Sequence, residues 1–222
     1  MQNGDWNSSM TLVQWVMPDL RLPIGVKIAG LILVLWLGSL WLLIQLPIVW
    51  IMHQWGWVMF AVLLRTILQT GLFIMAHDAM HGLIWPTRPG WNDRIGQSLL
   101  WLYAFLDYGV CRQRHIRHHL VPTQATDPDF HADQRLGIWY VNFMQQYLQG
   151  WQVVGGVAIV LSLGLAIVPQ QLVNLLLFWL LPLILSSWQL FLFGIYLPHR
   201  QPTIGDRQFN DRHCARSLAV PM

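Results

Sequence analysis

The sequence predicts an all-α membrane protein: four transmembrane helices in two hairpins, plus cytoplasmic and interfacial helices carrying a histidine cluster. Three observations predict it. Of 222 residues, 55% are apolar and only 10% charged, whereas a soluble domain carries about 25% charge. Long stretches hold no charge at all, and a bilayer obliges such stretches to close their own backbone hydrogen bonds as helix. Eight of the nine histidines fall in two Arg-bearing segments, between and after those stretches. A single membrane-embedded domain spanning 1–222 is the simplest organisation.

Crossing the hydrocarbon core takes about 20 residues at about 1.5 Å each. Ile28–Met52 is uncharged and long enough, with a kink expected at Pro47. Trp55–Ala76 is the second span, with Arg65 as its one charge. An Arg at mid-membrane costs about 2.5–3.5 kcal/mol on insertion scales, so a partner inside the bundle is expected. The turn lies near His53–Gly56, where Trp50, Trp55 and Trp57 cluster as an interfacial aromatic belt does. Gln152–Val168 and Gln171–Leu197, with Pro182 inside it, form the second hairpin, turning near Pro169–Gln170.

Ile95–Val110 is marginal as a span and flanked by Arg on both sides. Were it to cross, the two histidine clusters would face opposite compartments. It is expected to be an interfacial or partly inserted helix that closes one wall of a pocket. Arg21 and Lys27 precede the first span; Arg88, Arg94, Arg112, Arg114, Arg117 and Arg135 separate the second and third; Arg200, Arg207, Arg212 and Arg216 follow the fourth. The positive-inside rule then puts both termini and the histidine-rich segments in the cytoplasm. The net charge of +3 therefore reflects topology, and no nucleic acid partner is expected. The first apolar run is too long for a signal-peptide core, so no cleavable leader is expected. Cys111 and Cys214 form no CxxC pair, which removes zinc ribbons and iron–sulfur ligation and leaves two ordinary small side chains.

His77 and His81 are four apart, directly after the second span, so a continuing helix projects both from one face. His115, His118 and His119 at i, i+3 and i+4 make a second face, and two such faces packed together present five nitrogen ligands. Neutral imidazole binds iron, zinc or copper, so ligand type leaves the metal open. One structural zinc is closed by four ligands; two clusters suit a pair of metals. The chain contains no glutamate, which excludes ferritin-like sites and His-Glu-x-x-His proteases. Asp78 sits inside the first cluster, where a carboxylate orients a ligand imidazole through its second nitrogen. Asp127 and Asp129, around Pro128, read either as a turn or as carboxylates backing the ligands. His53 reads as a surface group; His131 and His213 receive no role.

HDAMHG at 77–82, HIRHH at 115–119, DPDF at 127–130, LPHR at 197–200 and DRHCARS at 211–217 together resemble the beta-carotene ketolases. These belong to the membrane fatty-acid desaturase and hydroxylase superfamily. The likeness runs from about Arg65 to Ser217. It implies a non-haem di-iron oxygenase that uses O₂ and electrons from a ferredoxin-type donor. The reaction implied is oxidation of the C4 methylene of a beta-ionone ring to a ketone, by two hydroxylations at one carbon and loss of water. Beta-carotene would give echinenone and then canthaxanthin. Carried over by motif, the iron ligands would be His77, His81, His115, His118 and His119, with His199 as a further one. A lipid-soluble carotenoid would enter from the bilayer through an apolar tunnel.

That family also carries a third HxxHH after the DRHCARS-like segment. The sequence stops at Met222 before it, which sets the expectation of a chain truncated relative to the family, short of ligands for two irons. The rivals are an acyl-chain desaturase or hydroxylase or a carotenoid hydroxylase of the same superfamily, a membrane haem protein, and a non-catalytic metal-binding remnant. The spacing of His77 and His81 favours the ketolase over acyl desaturases.

Overall fold

The structure, a computed structural model, describes residues 22–122, 124, 126–132, 135–148, 150–166 and 169–200. Arg21, Cys214, His213 and the rest of the DRHCARS segment, and the chain end at Met222, lie outside the described residues. Their regular elements are all helices, with no strand among the described residues.

Helix α1 (Ile24–Ile44) stops short of Pro47, and the chain restarts as the short α2 (Ile48–His53). The expected single kinked span over Ile28–Met52 is thus two helices. Proline lacks an N–H and its ring clashes with the preceding turn. The N–H groups of Gln45 and Leu46 fold back onto the carbonyls of Leu42 and Leu43 at 3.2 and 3.3 Å. Asn174 Nδ2 adds a donor at this end of α1, 3.3, 3.0 and 2.8 Å from the carbonyls of Leu43, Ile44 and Leu46.

Helix α3 (Trp55–Met80) runs 26 residues, long enough to pass through an apolar layer and carry His77 beyond it. Helix α4 (Pro89–Ala104) and helix α5 (Tyr108–Leu120) follow. The Ile95–Val110 stretch, expected as one helix, is divided between them. Phe105 adopts φ 57° and ends α4, a left-handed conformation that is strained for a bulky side chain. Asp107 then starts α5 by accepting from the Val110 N–H at 2.8 Å.

Helices α6 (Leu136–Tyr147) and α7 (Gly150–Ala166) lead to α8 (Pro169–Leu175). From there one helical run passes through a π turn (Leu176–Leu180), α9 (Leu181–Leu190), a second π turn (Phe191–Tyr196) and α10 (Leu197–His199). Pro182 sits just after the first π turn, where the wider helix tolerates a missing N–H. Among the described residues three helices are long and apolar enough to cross a membrane: Ile24–Ile44, Trp55–Met80 and Gln171–His199. The expected span over Gln152–Val168 falls on α7, Gly150–Ala166, and residues 167 and 168 lie outside the described residues.

The core lies between α3 and its neighbours. Leu72, Ala76 and Ala79 of α3 pack against Leu99, Leu100 and Tyr103 of α4, with Trp36 from α1. Gly96 permits the α3–α4 approach: a Cβ there would lie 2.7 Å from the Ala79 Cβ. Outward-facing Leu31, Val34 and Trp41 of α1 are exposed, as lipid-solvated side chains are. Arg65 is fully buried. Its Nε donates to the Phe178 carbonyl at 2.9 Å, its Nη1 to the Trp36 carbonyl and to Ser39 Oγ at 3.0 Å, and its guanidinium covers the Trp36 ring. The partners of this buried cation are therefore two backbone carbonyls, a hydroxyl and an indole face. Gln69 extends the polar seam, accepting from Trp36 Nε1 at 2.7 Å and donating to the Tyr103 carbonyl at 2.8 Å.

Candidate metal centre

Two helix ends build the first cluster. α3 terminates one residue before His81, and Gly82 turns the chain with φ 75°, a conformation open to glycine. His77 and His81 are thereby held at the tip of the core helix. α5 lays His115 and His119 against them. The ligand-capable nitrogens of His77, His81, His115 and His119 all lie within 4.8 Å of one another. His115 Nε2 is 2.8 Å from His81 Nε2 and 3.0 Å from His119 Nε2. Ligands bound to one metal at about 2.0–2.1 Å stand roughly 3.0–3.4 Å apart. Three converging Nε2 atoms at nearly that separation suit a shared metal better than a hydrogen bond chain, in which His115 would have one proton or lone pair for two neighbours. Burial, then the surrounding imidazoles, push His115 down to about 3 and lower His81 from its ordinary value. Both are neutral near pH 7, with lone pairs available.

His118 does not join this group. Successive helical residues are about 100° apart, so His118 points away from the side shared by His115 and His119, although all three are on α5. Its Nδ1 lies 3.0 and 3.1 Å from the Asp127 carboxylate oxygens and 3.7 Å from Asp129 Oδ2. His118, Asp127 and Asp129 form a second metal-competent group. The His199 ring, brought up by α10, is 5.0 Å from that of His118. His199 Nδ1–H donates to the Ile195 carbonyl at 2.7 Å, which leaves Nε2 as the free acceptor. The five imidazoles read as two packed faces are thus four together and one apart, the latter joined by His199.

Asp127 and Asp129 are both buried. The Asp129 N–H donates to Asp127 Oδ1 at 2.9 Å, so Asp-Pro-Asp is a turn and a carboxylate pair at once. Burial raises the Asp129 carboxyl above the usual carboxylate range. Asp78 makes a longer contact, 3.4 Å from His77 Nδ1, with both side chains 38% exposed. His131 Nε2 lies 2.8 Å from Asn142 Nδ2 and belongs to neither group. His53 is exposed at the far end of α3, its Nδ1–H donating to the Val49 carbonyl.

Two residues of α6 went unread in the sequence. The Tyr147 hydroxyl donates to Asp129 Oδ1 at 2.6 Å, and Trp139 Nε1–H donates to the Asp129 carbonyl at 2.8 Å. Trp139, Tyr140, Phe143 and Tyr147 fall on one helical stripe, a pattern that marks a buried face but not its target.

A cavity of about 970 Å³ reaches His77, His115, His118, His119 and Asp129 and is otherwise walled mainly by apolar side chains, among them Phe73, Phe143, Trp179 and Leu183. Tyr103, Phe105 and Leu106 line it too, so the segment expected to close one wall does so.

The fatty acid desaturase family model matches residues 54–150. The chain is similar to a beta-carotene ketolase of Paracoccus sp. (strain PC1), 37% identical over 183 residues, covering 81% of this chain and 73% of that protein. A beta-carotene ketolase of Paracoccus sp. (strain N81106 / MBIC 01143) is 40% identical over 155 residues, 70% of this chain and 62% of the relative. A zeaxanthin 4-ketolase of Chlamydomonas reinhardtii is 34% identical over 187 residues, 79% of this chain and 41% of the relative. No solved structure gives a significant match. With its apolar helices and the histidines they position, the chain belongs to the beta-carotene ketolase family, a group of membrane oxidoreductases in the fatty acid desaturase superfamily.

Proposed function

We propose that this chain oxidises the C4 methylene of a beta-ionone ring to a ketone, converting beta-carotene to echinenone and canthaxanthin by two hydroxylations and loss of water. The observation that carries the reading is a largely apolar cavity that reaches the imidazole cluster. A hydrocarbon ring finds a dry wall there and metal-ligand chemistry at the same place.

His77, His81, His115 and His119 would hold one non-haem iron; His118 and His199 would serve a second. When bound, the two irons supply the O₂-derived oxidant that an allylic C–H bond requires and no side chain provides. The protein's share is positional. Asp127 accepts from His118 Nδ1–H, fixing the tautomer that presents Nε2. Asp78 backs His77 in the same way, more loosely. Phe73, Phe143, Trp179 and Leu183 enclose the ring and exclude water. Electrons would come from a ferredoxin-type donor on the cytoplasmic side, where the positive-inside rule would put both termini and the histidines; the carotenoid would enter from the lipid.

Pigments extracted from a beta-carotene-producing host that expresses the chain test this. The expected result is echinenone or canthaxanthin, lost in His115→Ala. Hydroxylated rings without ketone, or altered acyl chains with unchanged carotene, would assign the chain to another reaction of the superfamily.

A further inference from the structure

We infer that Tyr147 is a positioning residue for the second metal subsite, acting through Asp129; the inference rests on the di-metal reading above. Asp129 is held at nearly every polar group. Its N–H is taken by Asp127 Oδ1 at 2.9 Å, its carbonyl accepts from Trp139 Nε1 at 2.8 Å, and its Oδ1 accepts from the Tyr147 hydroxyl at 2.6 Å. Oδ2 is left on the His118 side, 3.7 Å from Nδ1. The Tyr147 hydroxyl therefore decides which carboxylate oxygen faces the subsite.

Tyr147 is itself fixed. It is the last residue of α6, its ring packs 4.8 Å from Phe143, and the Arg114 guanidinium lies over it at 5.4 Å. One hydroxyl thus ties α6 to the turn that carries both carboxylates. A buried carboxyl that loses a donor seeks another. His118 Nδ1 stands 3.7 Å from Oδ2, its N–H otherwise committed to Asp127. Removing the hydroxyl therefore loosens the orientation of a ligand imidazole without touching it, a change that costs about 10–100-fold in metal affinity where such supporting contacts have been removed.

The test is a Co²⁺ titration of the metal-free full chain in detergent, read by the ligand-field absorption of the bound ion. Tyr147→Phe keeps the ring and its packing and deletes the hydroxyl. Tyr140→Phe is the control: it deletes a hydroxyl on the same helix that pairs with Ser187 at 2.8 Å, away from the carboxylates. Wild type and Tyr140→Phe should bind two equivalents alike, while Tyr147→Phe keeps one tight site and binds the second about 10–100-fold more weakly. Asp129→Asn should reproduce the loss, and the double variant should add nothing to it, because the hydroxyl acts only through that carboxylate. A Tyr147→Phe titration that overlays wild type overturns the inference and leaves the di-metal reading standing. Equal weakening in Tyr140→Phe also overturns it, since the effect is then general loosening. Wild type that binds fewer than two equivalents overturns the di-metal reading and this inference together.

Discussion

His118 of α5 and Asp127 of the following turn are joined at 3.0 Å, imidazole Nδ1 to carboxylate oxygen. That contact faces away from the cluster made by His115 and His119 on the same helix. It separates two groups of different character in the candidate site: one of four imidazoles, one of imidazole beside buried carboxylates.

The pairing has a direct consequence. Asp127→Asn replaces the acceptor for His118 Nδ1–H with an amide that can present a donor instead. Ketone formation and iron occupancy of the second subsite should each fall about 10–100-fold, with the thermal midpoint little changed. Product analysis alongside iron content checks this, and full retention of both would remove Asp127 from the centre.

His115 sits at the middle of the four-imidazole group, its Nε2 within 3.0 Å of two others. His115→Ala should abolish tight binding at that subsite and reduce ketone to background. His53→Ala, an exposed change at the opposite end of α3, should leave both at wild-type level. Iron per chain and extracted pigment are the measurements, and equal behaviour of the two variants would contradict the assignment.

Arg65 holds α1 and the π turn at Phe178 against α3. Arg65→Met keeps much of the volume but loses hydrogen bonds from a charged donor, each worth roughly 1.5–3 kcal/mol. The thermal midpoint in detergent should drop by several degrees while Co²⁺ binding survives. An unchanged midpoint would show that the seam contributes nothing to stability.

Cys111 is 2% exposed. Burial, reinforced by Asp107, pushes its thiol up to about 12. The thiolate is the reactive form, so in the folded protein Cys111 should resist iodoacetamide at pH 8 and react only once the chain is unfolded. Peptide mass mapping reads this directly, and rapid native alkylation would place Cys111 in an accessible, activated setting.

Part of the geometry of this candidate site was legible in the sequence. The i, i+4 spacing of His77 and His81 and of His115 and His119 is a local property, and both pairs meet as such spacing requires. His118 shows where local reasoning stopped. The i+3 position shares a helix face only loosely, and its neighbours are set by a turn and by α10, distant in sequence. Tyr147 was illegible for the same reason: nothing in α6 says that its last residue meets Asp129. Among the spans, Pro47 marked a disturbance in the right place. Whether proline kinks or breaks a helix depends on what satisfies the freed carbonyls, here Asn174 from more than a hundred residues away. The π turns flanking α9 likewise follow from packing rather than composition.

X-ray absorption at the iron edge of the iron-loaded chain reads out whether imidazoles from separate helices converge on metal. Expected are close to two irons per chain, the multiple-scattering pattern of several histidines, and loss of much of that pattern in His115→Ala. A spectrum without imidazole scattering, or a folded wild-type chain that holds no iron, would contradict that convergence.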